Sequence, residues 1–248
     1  MTAYQLRLCN VLNYRFDKTA AVAETIVLAL VLASTDFCSA ATIIGPSVQL
    51  STLLVPSATM VVGDKTFSEF GYSFTGDMPP ATMVNVVGIL DDEGNYGIRF
   101  QGGFMDFSST IGGSDALIDY MVEAGDGFLI SDAHLAGNPN VLGNNGGSMS
   151  VTETFLPLGA NGEYTLEIYD DEFSNTAQLT DVTFFIPPVK KMSVQKDILG
   201  FTVPGGGTAT MSMVDQTFSQ IPIPEPATSL LLIGSALALG YRRRRRRS

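Results

Sequence analysis

The sequence predicts an all-β fold: an antiparallel, jelly-roll-like β-sandwich ectodomain, followed by a short C-terminal transmembrane helix. Three observations predict it. Between residues 42 and 221 the apolar positions recur with a period of two rather than 3.6. The apolar runs are short and are separated by turn-forming clusters, with 25 glycines in the chain. A charge-free stretch, 227–241, stands near the C-terminus between a proline-rich segment and a run of arginines.

The strands follow in order. Val48–Val55, Ala58–Val62, Thr66–Phe74, Thr82–Leu90, Tyr96–Gln101 and Ala116–Glu123 read as the first six. Phe128–Ala133, Ser148–Phe155, Tyr164–Tyr169, Leu179–Ile186, Met192–Ile198 and Thr208–Val214 complete the set. Gly112-Gly113, Gly125-Asp126-Gly127, Gly143 to Gly147, Asn161-Gly162, Pro187-Pro188 and Gly205 to Gly207 are the expected breaks. Tyr164 to Ile168 alternates strictly, as suits a half-buried antiparallel strand. Thr183-Phe184-Phe185-Ile186 reads as more fully buried. No helical period persists in this region, and no internal repeat is visible.

Charge is segregated along the chain. The whole carries a formal −11. Of 25 acidic groups, three lie in residues 1–40, which leaves 22; of 14 basic groups, three lie there and six at the C-terminus, which leaves five. The stretch between is therefore at −17. Such a surface repels phosphate backbones, so nucleic acid is not an expected partner. Both cysteines, Cys9 and Cys38, fall within residues 1–40, so the body has neither a disulfide framework nor a thiolate metal site.

Residues 1–40 read as a secretory signal peptide. Arg15 and Lys18 precede an apolar run, Ile26 to Ala33, and small residues follow at Ser39-Ala40-Ala41. Glu24 interrupts the run, and the basic region is long, as an upstream start codon would make it. Cys38 follows Phe37, where a lipoprotein signal needs a small residue.

The C-terminal end has three parts, which set residues 222–248 apart from the 42–221 ectodomain. Pro224, Glu225 and Pro226 form a stiff motif. Residues 227–241 are uncharged. Arg242, Arg243, Arg244, Arg245, Arg246 and Arg247 close the chain. As a helix the uncharged part covers about 22 Å, short of a hydrocarbon core of about 30 Å, so spanning requires snorkelling arginines and local thinning. The arginines orient it with the tail in the cytoplasm and the body outside.

This combination resembles the PEP-CTERM sorting signal. The resemblance covers residues 224–247, about a tenth of the chain. It implies a Gram-negative, exopolysaccharide-producing source. It implies that Pro224, Glu225 and Pro226 are the motif recognised by exosortase, a membrane cysteine peptidase that processes the tag. The expected location is then the cell envelope, as a single-pass protein before processing, and afterwards the cell surface or medium.

Chemistry in the body is sparse. His134 is the only histidine, in Ser131-Asp132-Ala133-His134, and no nucleophile elbow accompanies it. Two acidic clusters follow apolar runs: Asp91 and Asp92 with Glu93-Gly94-Asn95, and Asp170 and Asp171 with Glu172 to Asn175. Their oxygens suit Ca²⁺, the one candidate cofactor, and equally suit tight turns, the first tying a hairpin between Leu90 and Tyr96. Asp119 with Glu123, or Glu153 with Glu167, are carboxylate pairs of the type glycoside hydrolysis uses. The expectation is a non-catalytic surface or matrix protein. A carbohydrate-binding module contacting exopolysaccharide through exposed Tyr or Phe rows is the alternative, and a polysaccharide-active hydrolase the third reading.

Overall fold

The structure is a computed structural model describing residues 41–107, 112–143, 146–159, 162–205 and 207–223. The signal peptide, the Pro-Glu-Pro motif, the transmembrane segment and the arginine tail expected from the sequence lie outside the described residues. Among the described residues, no helix is long and apolar enough to cross a membrane.

The described chain is almost entirely antiparallel strand. β1 (Thr42–Gln49) runs into a single helical turn, α1 (Leu50–Leu53), and is followed by β2 (Thr59–Val62) and β3 (Lys65–Phe74). β4 (Asn85–Leu90), β5 (Tyr96–Phe107), β6 (Ser114–Ala124), β7 (Phe128–Gly137) and β8 (Asn140–Leu142) follow. β9 (Gly147–Gly159), β10 (Gly162–Asp171) and β11 (Thr176–Gln178) come next. β12 (Thr180–Val189), β13 (Lys191–Thr202) and β14 (Thr208–Pro222) complete the order.

The strands form two seven-stranded sheets. The first runs β1-β4-β5-β14-β7-β12, with β8 also paired to β14. The second runs β11-β10-β9-β13-β6-β3-β2. From β1 onward the chain passes repeatedly from one sheet to the other, so neighbours in a sheet are mostly distant in sequence.

Each inner face supplies one phase of the period-two pattern. β6 alternates buried and half-buried at every residue, and β13 does nearly the same. Phe67, Phe100, Phe104, Phe155, Phe218, Ile98, Ile118 and Val194 meet between the sheets with no exposed surface. Full burial of one such side chain contributes roughly 1.5–3 kcal/mol. Tyr120 sits among Phe67, Phe70 and Phe100, with ring centres 5.7–6.0 Å apart. Buried ion pairs and hydroxyls join strands as well. Arg99 on β5 donates to both carboxylate oxygens of its register partner Asp215 on β14, at 2.5 and 2.6 Å. Fully buried Asp106 accepts from Ser114 and Thr202 on the opposite sheet.

The structure corrects several expectations. Strand Val48–Val55 is instead the end of β1 followed by α1, because Leu50 and Leu53, three apart, both enter the core. Strand Thr82–Leu90 begins only at Asn85, after a 3₁₀ turn over Ala81–Met83. Pro187-Pro188 does not end a strand but lies inside β12, where the pairing with β7 shifts between Phe184 and Val189. In Thr183 to Ile186 only Phe185 is buried; Phe184 is 62% exposed and Ile186 74%. β12 is the last strand of its sheet, so its outer side chains have no strand beside them.

Candidate functional site

The most unusual polar chemistry in the molecule lies between the sheets. Lys196 on β13 and Glu153 on β9 are register partners, and both are fully buried. Lys196 Nζ stands 2.8 Å from Glu153 Oε1. It also donates at 2.5 Å to Gln216 Oε1, on β14 of the other sheet. Among the described residues, Gln216 Nε2, Glu153 Oε2 and the hydroxyl of Tyr120 have no hydrogen-bond partner. Burial pushes the Glu153 carboxyl up to about 7, against the pull of Lys196. Burial lowers the Lys196 amine, against the opposing pull of Glu153. Burial also raises the Tyr120 phenol well above its ordinary value, and Glu153 adds to it.

The sequence carried a signal for this cluster. Lys196 falls in phase with Met192, Val194 and Ile198; Glu153 with Val151 and Phe155; Gln216 with Val214 and Phe218; Tyr120 with Ile118 and Val122. A polar residue on the apolar phase of a strand is a buried polar residue. The sequence reading named Glu153 only as half of a carboxylate pair.

That pairing is not made. Glu153 points inward, whereas Glu167 is exposed on the outer phase of β10. Asp119 and Glu123 share the outer phase of β6, four residues apart on one strand. Four residues of strand span roughly 13 Å, beyond the 9.5 Å upper separation of paired glycosidase carboxylates.

His134, on β7, does collect an aspartate and a serine. Its Nε2 lies 2.9 Å from Asp132 Oδ1 and 3.5 Å from Ser219 Oγ. Both contacts fall on the same ring nitrogen. A nucleophile relay needs serine on one nitrogen and aspartate on the other, so this is not triad geometry.

The four aspartates singled out as calcium candidates fall in two separate places, Asp91 and Asp92 in the β4–β5 turn and Asp170 and Asp171 at the end of β10. Asp91 closes the β4–β5 hairpin: its carboxylate accepts from the backbone N–H and side-chain amide of Asn95, and from Thr217 Oγ1 at 2.7 Å. Asp92 is the next residue of that turn. Asp170 accepts from the N–H of Val141. Asp171 caps the β10–β11 turn by accepting from the N–H of Phe173 and the hydroxyl of Ser174, which hold its carboxyl below its ordinary value. Among the described residues, no three His, Cys, Asp or Glu gather around one point.

An open cleft of about 540 Å³ on the outer surface is lined by Met105, Asn138, Asn140, Leu179, Thr210 and Ser212 among others. The paired glycines Gly102-Gly103 of β5 lie along it at Gly103, where no side chain projects. The six named residues carry no formal charge, in a body that is otherwise strongly acidic. Two aromatic pairs reach the surface: Phe173 with Phe201, tilted by 35°, and Tyr72 with Phe74, stacked at 22°. They are isolated pairs rather than a row.

Comparison with known proteins identifies the end of the chain. Residues 222–247 match the PEP-CTERM protein-sorting motif, so the chain carries that motif. β14, which lies between β5 and β7 in its sheet, runs directly into it at Pro222. No curated protein matches the sequence. Among solved structures, TmCBM61 in complex with β-1,4-galactotriose is 13% identical over 60% of this chain and 88% of its own, with a TM-score of 0.30. The enzymatically active domain of bacteriophage CBA120 tailspike protein 4 is 13% identical over 60% of this chain and 19% of its own, with a TM-score of 0.26. A family two carbohydrate esterase from Cellvibrio japonicus is 12% identical over 63% of this chain and 36% of its own, with a TM-score of 0.22.

Proposed function

We propose that this chain is an exported, non-catalytic protein of the bacterial envelope, a jelly-roll-like β-sandwich delivered through its PEP-CTERM motif. The match of residues 222–247 to that motif carries the reading. The signal peptide of residues 1–40 starts export. Residues 227–241 then hold the chain in the membrane, with Arg242 to Arg247 in the cytoplasm. An exosortase-type peptidase recognises Pro224, Glu225 and Pro226 and processes the tail. The acidic sandwich is left at the cell surface or in the medium as a matrix component.

The test is the mass of the protein recovered from its host's membranes and medium. Loss of residues 1–40 and of the segment after Pro226 supports the reading. A steady-state protein that keeps Arg242 to Arg247 overturns it in favour of a permanent tail anchor.

The uncharged cleft beside Met105 and Asn140 favours a second reading, that the sandwich binds neutral polysaccharide of the matrix. Amides and hydroxyls on the rim of a charge-free cleft suit sugar hydroxyls. Co-sedimentation of the purified full-length chain with host exopolysaccharide checks it: retention that an Asn140→Asp, Thr210→Asp variant loses supports the cleft, and no retention overturns it.

A further inference from the structure

Among the described residues the two sheets share no backbone ladder, yet Lys196 reaches from one to the other in a water-excluded pocket. We propose that Lys196 and Gln216 condense into an intramolecular isopeptide bond that covalently joins the sheets, with Glu153 carrying the proton. The assignment rests on the cluster's own geometry and is independent of the proposed localisation.

The required parts are in place. The nucleophile is the Lys196 amine, fully buried and 2.5 Å from the oxygen of the carboxamide it would attack. Burial favours its neutral form, the form with a free lone pair. The leaving group is Gln216 Nε2, buried and, among the described residues, without a hydrogen-bond partner to hold it. The proton carrier is Glu153, 2.8 Å from the amine, with a carboxyl that burial keeps protonated into the neutral range. All three are held by strands rather than loops, and groups so held reach effective molarities on the order of 10⁵–10⁸ M.

The step balances without a cofactor. The lone pair of Lys196 Nζ forms a bond to Gln216 Cδ. One proton leaves Nζ and, relayed by Glu153, reaches Gln216 Nε2. The Cδ–Nε2 bond breaks and ammonia departs. Glu153 ends as it began, and nothing is oxidised or reduced. The product replaces a buried amine and a buried NH₂ with one neutral amide, which leaves fewer buried polar hydrogens to satisfy.

A second lysine–glutamine contact serves as an internal control. Lys65 donates to Gln220 at 3.1 Å, but its other partner, Asp64, is a partly exposed carboxylate at 2.8 Å. That carboxylate reaches solvent, outside the water-excluded setting the reaction needs.

The experiment is peptide mass mapping of the purified, denatured full-length chain. Trypsin should cut after Lys191 and not after Lys196. The peptide starting at Met192 should weigh less than its sequence by the mass of one ammonia. A further cut after Phe201 should leave its two halves joined through Lys196 and Gln216. Lys196→Arg, Gln216→Met and Glu153→Gln should each restore the full sequence mass, whereas Lys65→Arg should keep the linkage. Wild-type chain with the full sequence mass and a normal cut after Lys196 overturns the proposal, and that readout does not depend on any variant folding. A peptide starting at Met192 that is instead recovered joined to the tryptic peptide holding Glu153, lighter than their sum by one water, also overturns it, because it places the bond on Glu153. Linkage that persists in Glu153→Gln overturns the role given to Glu153.

Discussion

At the residue scale, polar side chains in this protein are used mainly to hold strands and turns together. Asp91 satisfies three donors at the β4–β5 hairpin, one of them on β14. Asp91→Ala should therefore lower stability by about 1–3 kcal/mol in urea unfolding, the cost of leaving such donors without a partner. Glu153 behaves differently, because its environment opposes its charge. Its carboxyl is raised in the folded state from 4.5 to about 7. A raised folded value means the protonated group adds stability that is full below about pH 4.5 and lost as the pH rises through about 7. The melting temperature of the wild type minus that of Glu153→Gln should accordingly fall between about pH 4 and pH 8. A flat difference across that range would show that Glu153 is not held protonated by the fold.

At the scale of single elements, position in the sheet decides what a strand's sequence means. β12 carries two adjacent phenylalanines with opposite fates. Phe185 is buried and packs edge-on against Phe155 and Tyr164 at 5.2 Å from each. Phe184 is mostly exposed on the outer side of the terminal strand. Phe185→Ala should cost about 3–5 kcal/mol, and Phe184→Thr no more than about 0.5 kcal/mol, by denaturant midpoint. The apolar run itself could not reveal the difference, since Phe184 and Ile186 look like core residues until the strand is known to lie at an edge. β8 and β11, three residues each, went unread for another reason: three residues do not establish a period. Both are ordered by partners far along the chain or by a turn, β8 by β14 and β11 by β10.

At the scale of the whole molecule, the sorting motif and the sandwich meet at the end of β14. Glu225→Ala should leave export intact and change processing, seen as a longer mature chain in the host's membranes. Unchanged maturation would remove the motif from the proposed pathway. A bond from Lys196 to Gln216 would give β14, the strand that leads into the motif, a covalent tie to the opposite sheet.

Local pattern by itself determined the all-β class, most of the strands and the three-part C-terminal motif, because each is written in contiguous residues: alternation, turn chemistry, and a proline–apolar–arginine order. Tertiary structure alone decided which strands are edges and which carboxylates face each other. It separated Glu153 from Glu167, put Asp132 and Ser219 on one nitrogen of His134, and joined Lys196, Glu153 and Gln216 across two sheets. Those outcomes depend on register between strands distant in sequence, and on the low dielectric that only two packed sheets create. Neither property belongs to any single stretch of the chain.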